Sequence, residues 1–221
     1  MKNLIALILI LPSYFYCQNA DIEITIINDT IKKVSYYDNN NIAYQIKSNS
    51  DVSYIIVIDP TEFSDDIEYR VEPDVFGMLQ YYIFDRDLML NPVGSSRNYE
   101  PEKISDYQSK AYQVFKKKYS KLFNDDELKI AYRLSKNSIE LKAHDERLFV
   151  TKIDFPFYKS KYVELKNKKK YEFQISLDSS KTIIDQYFLI ISKEVCKDCK
   201  IFTGKILSNK VPLLYDVYNT Y

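Results

Sequence analysis

Two cysteines with two residues between them, Cys196 and Cys199 in CKDC, are the side chains whose type and spacing come closest to chemistry. Thiols at that spacing close a short disulfide, form a redox pair in which one pKa is lowered, or offer two ligands to a soft metal. An oxidising compartment favours the disulfide, which between Ile191 and Ile201 would lock a hairpin. The redox alternative would use the same two residues, but the chain shows no βαβ pattern, and no helix opens at the pair to hold a thiolate with its dipole. Zinc lacks ligands: two thiols and the single His144 make at most three, with no second CxxC. No metal and no cofactor is therefore expected.

Other constellations lead to the same place. His144 ends a strand in KAHDER beside Asp145 and Glu146 and reads as a turn residue. No Ser or Cys stands in a nucleophile elbow, so no hydrolytic triad has a frame. Gly77, Gly94 and Gly204 are the only glycines and are scattered, which excludes a phosphate-cradling loop. Asp65 with Asp66, and Asp125 with Asp126 and Glu127, lack the alternating spacing and glycine of a calcium loop and read as solvated turns. No catalytic residue is assigned, and the chain reads as a non-enzyme.

The elements that would position these residues are mostly strands. YEFQISL (171–177) sorts Tyr171, Phe173, Ile175 and Leu177 to one side and Glu172, Gln174 and Ser176 to the other. DIEITIIN (21–28) alternates in the same way, and Ile42, Tyr44 and Ile46 share a face. Residues 54–58 form a continuous apolar run, the pattern of a strand covered on both sides. Further strands are expected at 31–37, 78–84, 128–134, 139–143, 148–155 and 187–192. In IFTGKILSNKVPLL, Phe202, Gly204 and Ile206 share a face, and a slip at Ser208 and Asn209 before Val211 and Leu213 predicts a bulge. Residues 59–73 read as an irregular acidic surface loop or edge segment and 91–101 as a linker.

One stretch, 105–123, has helical period. Tyr107, Ala111, Val114, Phe115, Tyr119 and Leu122 form its apolar stripe, and Ser105 with Gln108 forms a capping box. Its lysines read as a solvated face, as does the basic tip KNKKK (166–170). The fold class expected is mainly β: an antiparallel β-sandwich with one helical insertion (102–123, the helix itself at about 105–123).

The opening MKNLIALILILPSYFYCQ has the layout of a secretory signal: Lys2, an apolar run too short to span a bilayer, and Pro12. It predicts a signal peptide at 1–17, cleavage before Gln18, and one domain at 18–221 in a secreted or periplasmic protein. The rival is an outer-membrane lipoprotein acylated at Cys17, but Phe15 and Tyr16 stand where that processing needs small residues. Losing the signal leaves 30 basic against 31 acidic side chains, so nothing pulls the mature chain toward nucleic acid, and no transmembrane segment remains in it. With 46% hydrophobic and 15% aromatic residues the chain can bury a sizeable core, and the many tyrosines read mainly as strand formers.

The signal ending in YCQN, the segment NIAYQIKSNSDVSYIIVI and the terminal FTGKILSNKVPL resemble small secreted proteins of the Bacteroidota. The last two also resemble strand pairs of bacterial immunoglobulin-like sandwiches. The resemblance implies an immunoglobulin-like fold and export and carries over no catalytic residue. The expected function is a non-catalytic binding or interaction module of the cell envelope, its partner a protein or another envelope component. Alternatives are a protease-inhibitor-like module presenting the loop at 59–73 or 91–100, an exported thiol-disulfide protein using Cys196 and Cys199, and a carbohydrate binder with a row of exposed tyrosines.

Overall fold

The computed structural model describes residues 21–35, 39–64, 77–94, 106–158 and 161–217. The expected signal peptide with Cys17, residues 65–73 of the acidic stretch, residues 95–101 of the linker and Ser105 lie outside them. Strands in the first half are β1 (Ile22–Ile26), β2 (Ile31–Lys33), β3 (Asn40–Ser48), β4 (Tyr54–Val57), β5 (Asp59–Phe63), β6 (Met78–Asp85), β7 (Leu88–Met89) and β8 (Val93–Gly94). Those in the second half are β9 (Ser138–Leu141), β10 (Glu146–Ile153), β11 (Phe157–Tyr158), β12 (Lys161–Tyr162), β13 (Lys169–Ser179), β14 (Lys200–Ile201), β15 (Gly204–Leu207) and β16 (Val211–Tyr215). Three helices join them: α1 (Lys110–Tyr119), α2 (Asp125–Lys136) and α3 (Lys181–Glu194).

The protein is mainly β, as expected, but its curled sheets are mixed rather than wholly antiparallel. β1, β3 and β10 make an antiparallel sheet in the order β1-β3-β10. A larger sheet runs β2-β16-β13-β6-β5, with β15 also on β13, β7 on β6, and parallel pairs at β2–β16 and β5–β6. A third runs β14-β4-β9, and the short strands β8, β12 and β11 form a fourth. The alternation read at β1, β3 and β13 is present: Ile22, Ile24, Ile26, Ile42, Tyr44, Ile46, Tyr171, Phe173, Ile175 and Leu177 are all buried in one apolar core.

The run 54–58 is covered on both sides, because β4 is the wall between two cores. Tyr54 and Ile56 enter the core shared by the β-sheets, while Ile55 and Val57 enter a second core built with the three helices. Period-2 geometry sends successive side chains to opposite faces, so a strand walled on both sides must be apolar at every position.

The bulge at Ser208 and Asn209 is present. Leu207 faces Ser176 and Val211 faces Phe173, one residue out of register along β13. Ser208 donates its N–H to Ile175 O (2.9 Å) and accepts the Ile175 N–H on its hydroxyl (3.0 Å), so the buried backbone stays paired through the irregularity. The bulge frees the Asn209 side chain to act as a surrogate peptide for β1: Oδ1 accepts the Ile26 N–H at 2.7 Å and Nδ2 donates to Ile26 O at 3.3 Å. One side chain thereby ties the β1 edge to the larger sheet. At β10, Thr151 Oγ1 donates to Pro60 O of β5 at 2.7 Å, a second side-chain tie between the same two sheets.

Four expectations change. Residues 128–134 are helix, not strand. LKIAYRL satisfies both periods, and its buried residues are Leu128, Ala131 and Leu134 at helical spacing. The decision is made upstream: Asn124 Oδ1 accepts the N–H groups of Asp126 and Glu127 (3.0 Å each), and Glu127 Oε2 accepts the Asn124 N–H (2.9 Å). The stretch 187–192 is likewise the interior of α3, whose buried Ile184, Tyr187, Ile190 and Ile191 repeat every three or four residues. The single helix expected is thus three, of which α1 alone lies within 102–123; its buried stripe is Tyr112, Phe115 and Tyr119, while Ala111 and Val114 face solvent. Finally, the irregular stretch expected at 59–63 is a regular strand, β5, and of the loop and edge alternatives it takes the edge of the larger sheet. Its Asp59 is buried and accepts from Arg133 Nη2 (2.9 Å) and from Thr61 N–H (3.1 Å) and Oγ1 (2.5 Å). Gly77 lies against this corner with φ +81°, where a Cβ would stand 3.0 Å from Ile58 Cα and Asp59 N.

At the end of α3, Glu194 accepts from Lys118 Nζ (2.6 Å) and from the Tyr119 hydroxyl, latching α3 to α1. Burial pushes the Glu194 carboxyl up, but the donors Lys118 and Tyr119 outweigh it and hold the pKa below its ordinary 4.5. A carboxyl lowered on folding stabilises the fold above its unfolded pKa and loses that contribution as pH falls through the folded pKa. Urea titrations across a pH series should therefore show Glu194→Gln less stable than wild type at neutral pH, the gap closing below about pH 4.5. In the same assay Asn209→Ala should lower unfolding free energy by about 2–3 kcal/mol, since it orphans two backbone groups of Ile26, and Asn209→Asp, which keeps the acceptor, should lose less.

Candidate functional site at the Cys196–Cys199 turn

The turn that follows α3 is where the two cores, the small sheet and the cysteines meet. α3 closes with the Val195 N–H on Ile191 O (3.0 Å), and Cys196 and Cys199 then form a disulfide with Cα atoms 5.5 Å apart. Cys199 is buried and Cys196 half-buried in the helical core. The expected hairpin is not what the disulfide locks, because 187–192 is helical: it staples a helix end to the start of β14.

β14 runs parallel to β4, with Lys200 opposite Tyr54 and Ile201 opposite Ile55. β9 pairs with the other edge of β4 and sets Glu140 opposite Ile55. Glu140, Ile55 and Ile201 thus form a row across the sheet, on the face that meets the helices. From that row the Glu140 carboxylate reaches the turn, and its oxygen and the two cysteine sulfurs lie within 4.8 Å of one another.

Beside the disulfide is an open depression of about 470 Å³, lined by Tyr54, Phe188, Cys199, Lys200, Ile201, Phe202 and Thr203. Phe188 is 42% exposed at its rim, and its neighbour Leu189 is 69% exposed. The Tyr54 hydroxyl donates to Asp21 Oδ2 at 2.5 Å. Burial, followed by that bond to a carboxylate, raises its pKa and keeps it a neutral donor. The N–H groups of Lys200 and Phe202 donate to Ser53 O (3.0 Å) and Ile55 O (2.9 Å), both on the β4 side. Alternation of the backbone then directs the N–H and C=O of Ile201 away from β4. Among the described residues, β14 has a strand neighbour on one side only.

The other candidates separate from this place. His144 sits in an exposed turn at φ +58°, its Nε2 3.0 Å from Asp51 Oδ1, and is not in the group formed by the cysteines and Glu140. Glu140, not His144, stands beside the two sulfurs, and no local signal marks it, since its neighbour is set by the β9–β4 pairing. Asp125, Asp126 and Glu127 are the first turn of α2. Glu127 closes the capping box, Asp126 pairs with Lys129 (2.9 Å), and Asp125 pairs with Lys116 (2.8 Å), whose ammonium holds its carboxyl below the usual range. Tyr44, Tyr112, Tyr119, Tyr171, Tyr187 and Tyr215 are core residues. No described helix is long and apolar enough to cross a membrane.

Compared with family models, curated proteins and solved structures, the chain has no match. The disulfide closes a very short loop, so in the chain-entropy account it is worth about 2 kcal/mol. Cys196→Ser with Cys199→Ser should lower stability by roughly that amount and leave the fold intact, read by urea unfolding and circular dichroism.

Proposed function

We propose that the protein is a non-catalytic, exported binding module of the cell envelope, secreted or periplasmic, with an immunoglobulin-like β-sandwich at its centre. Its partner is a polypeptide, taken up as an extended segment along the outer edge of β14. The observation that supports this most is that one short stretch, Lys200–Thr203, supplies both a strand edge, at Lys200 and Ile201, and part of the lining of an open depression. Strand addition needs that combination: main-chain bonds at the edge give affinity, and a pocket at alternate side chains gives selectivity. Phe188, exposed at the rim of the depression, adds apolar area that a partner would cover. The sandwich reading draws on the single apolar core that takes residues from both the β1-β3-β10 sheet and the larger sheet, and on the ties made by Asn209 and Thr151. Export draws on the sequence at 1–17 and agrees with a disulfide as the state of the only two cysteines after it.

A thiol-disulfide role for Cys196 and Cys199 is the second reading, favoured by the two cysteines standing as a disulfide beside an open depression. Electrostatics weigh against it. The C-terminal end of α3 and the Glu140 carboxylate both disfavour a thiolate at the turn, and the thiolate is the attacking species. The inhibitor reading depends on loops that extend beyond the described residues.

Panning a random peptide library on the disulfide-intact mature chain should enrich sequences with apolar residues at alternate positions. Phe188→Asp should weaken the selected peptides at least tenfold, and bound peptide should slow amide exchange at 200–203. Failure to enrich, or binding that Phe188→Asp leaves unchanged, would contradict the proposal.

A further inference from the structure

We infer that the Cys196–Cys199 turn, once reduced, is a binding site for a single thiophilic divalent cation such as Zn²⁺, with Glu140 as its third ligand. The inference stands apart from peptide binding and does not depend on it. Its first support is geometry: the two sulfurs and the Glu140 oxygen already lie within 4.8 Å of one another. Metal–sulfur bonds of about 2.3 Å and metal–oxygen bonds of about 2.0–2.2 Å place tetrahedral ligand atoms roughly 3.5–3.8 Å apart. Once the S–S bond is open, side-chain rotation alone covers the difference, because the cysteine Cα atoms stand 5.5 Å apart and Glu140 is held on a paired strand. The fourth position is left to water.

The second support is charge. A turn at the negative end of a helix, with Cys199 buried and Cys196 half-buried and a carboxylate beside both, is a poor place for free thiolates. The same features attract a divalent cation, whose charge relieves both. The field that opposes a nucleophilic role for these cysteines therefore favours a ligating one, and the disulfide acts as the gate. The step balances as follows. A dithiol reductant gives two electrons and two protons to the Cys196–Cys199 bond and becomes a disulfide itself, leaving two thiols. Metal binding then releases both thiol protons as the thiolates coordinate. Reoxidation reverses both steps and expels the ion.

The probe is Co²⁺, added under anaerobic conditions to the full mature chain after phosphine reduction and desalting. Reduced wild type should take up one Co²⁺ per chain with a thiolate-to-cobalt charge-transfer band, and Zn²⁺ should displace it. The disulfide form should show no band. Glu140→Gln should bind Co²⁺ at least tenfold more weakly, with both thiols titratable and an unchanged circular dichroism spectrum. Glu140→Ala should show the same loss, so misfolding of one variant cannot hide the result. Absence of the band in reduced wild type, a band in the disulfide form, or a loss of less than tenfold in the folded Glu140 variant would overturn the site.

Discussion

A strand of four residues, Tyr54–Val57, carries the arrangement, because it is buried on both faces and each face belongs to a different core. Two apolar side chains point into the sheets and two into the helices, so neither body of packing can loosen without exposing one side of β4. Full burial of an aliphatic or aromatic side chain is worth about 1.5–3 kcal/mol, and four such side chains make β4 costly to expose from either direction. Its edges are as consequential as its faces. One carries β9 with Glu140, and the other carries β14 with the disulfide turn. The candidate site is a by-product of that wall.

The sheets themselves are joined by polar side chains where the main-chain ladders stop. Asn209 imitates a peptide at the β1 edge, and Thr151 reaches the carbonyl of Pro60, a residue with no N–H of its own to offer a neighbouring strand. Both ties rely on irregularities, a bulge and an edge proline. Side chains occupy these edges, whereas the short β14, among the described residues, has a strand neighbour on one side only.

Legibility in the sequence followed the range of the interactions involved. The faces of β1, β3 and β13, the double coverage of β4 and the bulge at Ser208 and Asn209 are written in local alternation, and each stands in the structure. The helix α2 was equally local, but its signal was the capping box Asn124–Glu127, which composition alone makes look like a turn. In α3, YFLIIS is apolar at nearly every position, so period cannot separate strand from helix there. Asp59 looks like a loop residue until Arg133, distant in sequence, arrives to neutralise it. Glu140 looks like the wet side of a strand until β4 places it beside the cysteines. The site was half visible: its sulfurs were plain, and its carboxylate and strand edge were not.

If β4 truly couples the two cores, they must open together. Native-state hydrogen exchange in rising urea reads this directly, through the amides of β4, of β13 in the sheet core, and of α2 and α3 in the helical core. The account requires these amides to converge on one opening free energy equal to that of global unfolding. Amides of α2 and α3 that merge at a distinctly lower value, while those of β4 and β13 stay protected, would contradict it.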